Sequence, residues 1–193
     1  GIIPNQSIDR TALGLGINST LDNGLYIQGS VNYVNTVQKS PPSGASYNND
    51  YGNGSGGSVY ARLFYLPRNF DLNGYPYQNP VTGGNTFYRA LDNPRWLVEN
   101  NQFTSNVNRV FGNLTLSYDL TDWLTLMARG GFNQYTDQQS DFREKGGNSF
   151  NTGSYGEWTV GNREIDMNFL LQIDKKLSPD LRLTGTIGHN VNE

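Results

Sequence analysis

The chain has 193 residues, 16% of them charged, a formal net charge of −3 and no cysteine. Mild acidity excludes a surface built for non-specific nucleic-acid binding, which needs concentrated basic charge, and the lack of cysteine excludes disulfides, thiolate metal sites and cysteine nucleophiles. No apolar run is long enough for a membrane-crossing helix, but a mean hydropathy of −0.60 leaves a membrane β-barrel open, because alternating strands average to polar.

The opening GIIPNQSIDR lacks the basic and apolar regions of a signal peptide, so an exported protein is expected here as a mature form or an internal piece. Thr11–Asn18 then sets Leu13, Leu15 and Ile17 against Ala12, Gly14 and Gly16. Leu21–Gly24 contains Asn23-Gly24, a tight-turn signal. Leu25–Asn35 alternates Leu25, Ile27, Gly29, Val31 and Tyr33 with Tyr26, Gln28, Ser30 and Asn32, which completes a first hairpin.

Thr36–Phe103 is a long connection. Its Ser40–Gly57 tract of Pro, Gly, Asn and Ser is expected to be mobile. Ser58–Leu66 fits a short helix ended by Pro67. Asn69–Tyr77, Pro80–Gly84 and Asn93-Pro94-Arg95-Trp96 follow. Phe64, Tyr65, Phe70, Tyr75, Tyr77 and Trp96 make this a loop suited to folding over a mouth or onto a partner. Flat rings stack on sugars and peptide groups while Asn and Arg supply hydrogen bonds. Tyr75, Tyr77, Arg95 and Trp96 are therefore candidate substrate- or partner-binding residues, the alternative for each being packing of the loop on itself.

A second hairpin, 107–118 with 123–135, turns at Asp119–Asp122. One parity of its first strand reads Val110, Gly112, Leu114, Leu116, Tyr118; the other reads Arg109, Phe111, Asn113, Thr115, Ser117. After a second long connection, Thr136–Tyr155, come Thr159–Ile173 and Leu181–Asn190, joined through Ser178-Pro179-Asp180. Ile165, Met167, Phe169, Leu171 and Ile173 alternate there with Glu164, Asp166, Asn168 and Gln172. The expected fold is all-β and antiparallel, with six strands in three hairpins.

Soluble strands average ~5–6 residues. The alternation here lasts about twice that, near the ~9–11 residues of a strand crossing a bilayer. Short turns and long connections also take turns, as periplasmic turns and extracellular loops do in outer-membrane barrels. On that reading 36–103 and 136–155 are extracellular loops. The lipid face carries Leu13, Leu15, Ile17, Ile27, Val31, Leu114, Leu116, Leu124, Leu126, Ile165, Met167, Phe169, Leu171, Leu183 and Ile187. The lumen face carries Arg10, Arg109, Arg129, Glu164, Asp166 and Arg182, whose opposite signs are expected to pair across strands. Tyr118 and Trp123 flank one turn as interfacial aromatics, with Tyr33 and Phe132 near the other ends. A secreted soluble β-sandwich that binds glycans through its aromatic loop would show the same alternation. Strand length, loop asymmetry and the two aromatic levels favour the membrane.

Other motifs carry less. Gly52–Gly57 (GNGSGG) fits a dinucleotide-binding glycine pattern but follows SYNNDY, not a buried strand. His189, the only histidine, has no nucleophile elbow to serve. Glu164 and Asp166 lie two apart and fit lumen charges better than an acid/base pair. Asn18-Ser19-Thr20 and Asn113-Leu114-Thr115 match the glycosylation sequon, as chance allows in an Asn-rich chain. No enzyme activity, metal or cofactor is expected.

Asn93-Pro94-Arg95-Trp96, the polar stretch Asn100–Asn108, Arg109-Val110-Phe111-Gly112-Asn113, Leu116-Ser117-Tyr118, Asp122-Trp123-Leu124 and Arg129-Gly130-Gly131 together resemble the SusC/RagA branch of TonB-dependent outer-membrane transporters of Bacteroidota. Ile2–Arg10 with Leu21–Asn35, and Leu63–Leu72, are similar to that family as well, so the resemblance spans nearly the whole chain. It implies a barrel of ~22 strands plugged by an N-terminal domain, in the outer membrane. It also implies TonB-driven uptake of oligosaccharides or peptides, with a SusD-like surface lipoprotein as lid. The TonB box, the plug, most strands and the aromatic-ended last strand of the family have no counterpart here. The chain is therefore expected to be a middle section of the barrel wall, whose partners are the remaining barrel and plug, TonB, the lid lipoprotein and outer-membrane lipid.

Overall fold

Six strands hydrogen-bond in chain order in the computed structural model, which describes residues 3–41, 59–148 and 150–193. They are β1 (Ser7–Thr20), β2 (Tyr26–Ser40), β3 (Asn101–Thr121), β4 (Leu124–Arg143), β5 (Ser154–Ser178) and β6 (Leu181–Asn192). Two short helices, α1 (Val59–Phe64) and α2 (Pro94–Asn100), lie in the connection between β2 and β3. The sheet is all antiparallel and open, with β1 and β6 as its two edges. The fold class expected from the alternation is met at this level; a closed barrel is not formed by these strands. Residues 42–58, which include the GNGSGG motif and nearly all of the Ser40–Gly57 tract, lie outside the described residues.

Every strand but β6 runs well beyond its alternating apolar stretch. β4 continues through Thr136–Arg143 and β3 begins at Asn101, so the connections narrow to 41–100 and 144–153. The reason is that strand pairing is a backbone property, satisfied by N–H and C=O groups whatever the side chains are. Hydropathy alternation fades where both faces turn polar, and side chains bridge the strands there: the Ser105 hydroxyl donates to Asp137 at 2.7 Å, and the Trp158 indole N–H donates to Gln139 at 2.7 Å.

The turns are as tight as expected, with small shifts. Gly24 takes φ 84°, its N–H bonds Leu21 O at 2.9 Å, and the Asn23 side chain accepts from Leu25 N. Only glycine adopts that left-handed φ cheaply. The second turn is Asp122-Trp123, later than Asp119–Asp122, because β3 keeps its pairing to Thr121. The β5–β6 register is regular from Asp166↔Asn192 to Lys176↔Arg182, then breaks at a bulge before Ser178↔Leu181.

The chain divides into two units. The first comprises Gly1–Asp9, Thr36–Asn106 and Asp137–Val160; the second comprises Arg10–Asn35, Val107–Thr136 and Gly161–Glu193. The first has a core of Ile3, Val59, Trp96, Leu97 and Val98, with Tyr77 packed against it. α2 is built on Asn93, whose side-chain oxygen accepts from Arg95 N at 2.9 Å, with Pro94 at the first helical turn. Both are preferred at those positions. Asn93 is fully buried and its amide also donates to Thr86 O at 3.1 Å. The second unit has almost no core: of the buried apolar side chains among the described residues, only Val34 belongs to it.

Candidate functional site

The second unit is a sheet with two unlike faces. One parity bears Leu13, Leu15, Ile17, Val31, Leu114, Leu126, Phe132, Met167, Phe169, Leu183, Ile187 and Val191, all exposed. Leu15 reaches 76% exposure. Among the described residues nothing covers this face. Polar or amphipathic side chains bound it at both ends. Away from the turns, the Tyr33 hydroxyl and the Asn35 amide both donate to the Asn108 side-chain oxygen, and Arg163 pairs with Glu193 at 3.2 Å. At the turns, Tyr118 stands beside Gly24, and the Lys175 ammonium lies 4.2 Å from the Trp123 ring centroid. His189 pairs in register with Phe169 and is exposed on this apolar parity.

The opposite parity is a wall of amides and charges. The Arg109 Nε donates to Asn133 at 2.8 Å, and the Asn133 amide donates on to Glu164 at 3.0 Å, so one asparagine bridges three strands. The Arg109 guanidinium also lies 5.0 Å from the Phe111 ring centroid. Asn162 caps the second Glu164 oxygen at 3.1 Å. Asp166 accepts from Asn168 and Asn190 at 2.6 and 3.2 Å. These groups surround a depression of about 500 Å³ that includes Arg109, Asn113, Asn133, Glu164 and Asp166.

Arg109, Glu164 and Asp166 thus line one depression, but the expected direct pairing of these carboxylates with arginine is not among the described contacts. Glu164 and Asp166 are held by asparagines. Arg129 reaches the Met127 sulfur at 3.7 Å, and Arg182 pairs with Asp174 one strand over. The register accounts for the one pair that forms: Asp174 faces Thr184 and Lys176 faces Arg182, so Asp174 and Arg182 lie two residues apart on one face of β5 and β6, while Asn192 faces Asp166.

The loop candidates fare differently. Trp96 is 1% exposed and its indole N–H donates to Gly83 O at 3.1 Å. A ring so covered has no free face within this chain, and Trp96 packs in the core of the loop, the alternative given for it above. The Arg95 guanidinium donates to Leu72 O and Asn73 O at 3.3 and 2.8 Å and lies 4.5 Å from the Tyr77 ring centroid. Both side chains are committed to packing the loop. Tyr75 is half-buried in a cluster with Phe70 and Phe87, at centroid distances of 5.2 and 6.4 Å. The exposed aromatics of this unit, among the described residues, are others: Tyr60, Phe64, Tyr65, Tyr88, Phe142, Tyr155 and Trp158.

Compared with protein-family models and with curated proteins, the chain matches none.

Proposed function

We propose that this chain forms part of the wall of an outer-membrane importer, a SusC-like TonB-dependent transporter. The observation that carries this reading is the uncovered apolar face, bounded at both ends by polar-tipped side chains. From Asn108 to Tyr118, at ~3.4 Å per residue, β3 runs about 34 Å; tilted ~45°, as barrel strands are, it spans about 24 Å, close to the ~25 Å apolar band of an outer-membrane barrel. The polar parity suits a wet or plugged lumen, and the short turns suit the periplasmic side. Further strands pairing to β1 and β6 would close the barrel and remove both open edges. Nutrient uptake driven by TonB, and a SusD-like lipoprotein lid, follow from the sequence resemblance.

The rival reading, a soluble glycan-binding sandwich, needs a second sheet over Leu13, Leu15, Ile17 and Ile187. The first unit has a core of its own, and the described residues supply no such sheet. Fractionation tests the choice. The native protein is expected in the outer-membrane fraction, resistant to carbonate and urea washing. Recovery as a folded monomer in detergent-free buffer would refute the membrane reading.

A further inference from the structure

We infer that Trp158 is the stacking platform of a binding site for uncharged oligosaccharides, with Ser105, Asp137 and Gln139 as its hydrogen-bonding rim. The inference rests on the importer reading for its biological sense and names a ligand class for it.

Three adjacent strands of the first unit supply the site: Phe103 and Ser105 from β3, Asp137 and Gln139 from β4, Trp158 from β5. Alternate residues of a strand share a face, so each pair projects together. The side chains form one chain of hydrogen bonds. The Trp158 indole N–H donates to Gln139 Oε1 at 2.7 Å, the Gln139 amide donates to Asp137, and the Ser105 hydroxyl donates to the other Asp137 oxygen at 2.7 Å. The Phe103 ring stands 6.1 Å away, tilted by 44°. The indole is therefore fixed in orientation before any ligand arrives, yet it stays 42% exposed. Ordering a side chain in advance removes that entropic cost from binding.

The unused valences choose the ligand. Each Asp137 oxygen and Gln139 Oε1 keep a lone pair, and the Gln139 amide keeps one N–H. The site thus offers an apolar ring face beside acceptors, with one donor. A pyranose presents the complement, a C–H face rimmed by hydroxyl donors. A phosphorylated or carboxylated ligand would set its charge against Asp137. A peptide would bring carbonyls for which the rim has too few donors.

The test uses the native protein in detergent micelles, titrated by calorimetry and tryptophan fluorescence. The probes are maltohexaose, cellohexaose and mannohexaose, with trigalacturonate and a Gly/Ser hexapeptide as contrasts. At least one neutral hexasaccharide is expected to bind. Trp158→Ala should weaken it about tenfold or more, and Trp158→Tyr should recover most of that loss. Trp158→Tyr should also abolish the fluorescence response, which a merely structural role would not do. Three results would each overturn the site: no neutral hexasaccharide binds, binding survives Trp158→Ala, or only trigalacturonate or the peptide binds. Trp158→Tyr keeps the question answerable if the alanine variant fails to fold. Membrane fractionation is read separately, so loss of glycan binding and loss of membrane residence are distinguishable.

Discussion

The Tyr33 hydroxyl donates a 2.7 Å hydrogen bond to the Asn108 side-chain oxygen, joining β2 to β3 where the apolar face of the sheet ends. Asn35 donates to the same oxygen at 3.0 Å. At the turn end of that face, Lys175 lies over the Trp123 ring at 4.2 Å. In each place an aromatic ring continues the apolar surface and a polar group closes it. Such amphipathic tips are what membrane interfaces favour, because one end of the side chain is apolar and the other is wet.

Depth on this face should govern the cost of charge. Leu114 is 47% exposed within the chain, so arginine there would be nearly neutral in water. In a bilayer Leu114→Arg should cost about 2–4 kcal/mol, and Gln134→Arg, past the end of the apolar stretch, about 0–1 kcal/mol. Folding into lipid vesicles under a urea titration measures both. Equal, small costs at the two positions would count against lipid on this face.

Glycine positions give a second contrast. A Cβ on Gly112 would overlap the Ser30 carbonyl oxygen and stand 3.0 Å from the Phe132 ring and 3.2 Å from Val31 Cα. The Phe132 ring lies over this glycine while staying exposed on its other side. Gly112→Ala should therefore destabilise the β2–β3 pairing by about 1–3 kcal/mol, the usual range for overpacking. Gly185, with nothing within 4 Å of its would-be Cβ, should accept alanine with no loss, or with a gain of about 0.4–1 kcal/mol from a less flexible unfolded chain. Urea midpoints of the two variants in one detergent decide this.

The alternation in the sequence already carried the sheet. Parity placed Leu15, Leu114, Met167 and Ile187 on one face and Arg109, Glu164 and Asp166 on the other, because side chains along a strand alternate without exception until a bulge intervenes. It did not carry the strand ends, since Thr136–Asp141 is polar on both faces and pairs through its backbone. Nor did it carry the partners of the charges, which depend on register: Asn133 and Asn190 were unremarkable residues until the strands aligned them with Glu164 and Asp166. α2 had a signal in Asn93-Pro94, an N-cap followed by a first-turn proline, but seven residues are too short for helical periodicity to show. Composition drew attention to Trp96 as an aromatic in a polar loop and had no means of telling that it lay beneath it.

The Tyr33 hydroxyl is separable from its ring. Tyr33→Phe removes the bond to Asn108 and leaves the ring, while Asn35 still satisfies the acceptor. An exposed hydrogen bond sits at the low end of the ~0.5–1.5 kcal/mol range, so the loss should be small. Tyr33→Ala also removes the apolar surface and should cost more, by about 1–2 kcal/mol, when lipid covers the ring. Paired urea titrations in micelles should show that order. A larger effect from Tyr33→Phe than from the further step to alanine would mean that the hydroxyl, not the ring, anchors this rim.

Trp96 gives the sharpest test of the first unit. Its indole is packed so closely that a Cβ on Gly147 would come within 3.0 Å of the ring, and Gly147 belongs to the 144–153 connection. The same connection bonds the long one again through Asn85 N to Gly146 O at 2.8 Å and through the Asn148 amide to Ala90 O at 2.7 Å. One buried ring thus pins two connections together. Trp96→Ala should remove about 3–5 kcal/mol from this cluster, the usual cost of deleting a buried tryptophan. The strands of the second unit share no core with it, so their pairing should survive. Limited proteolysis with mass mapping is expected to show new cleavage within 67–93 and 144–153, while hydrogen exchange of β3–β4 amides near Gly112 stays slow. Uniformly faster exchange through both units would show that Trp96 supports the whole sheet and not the loop cluster alone.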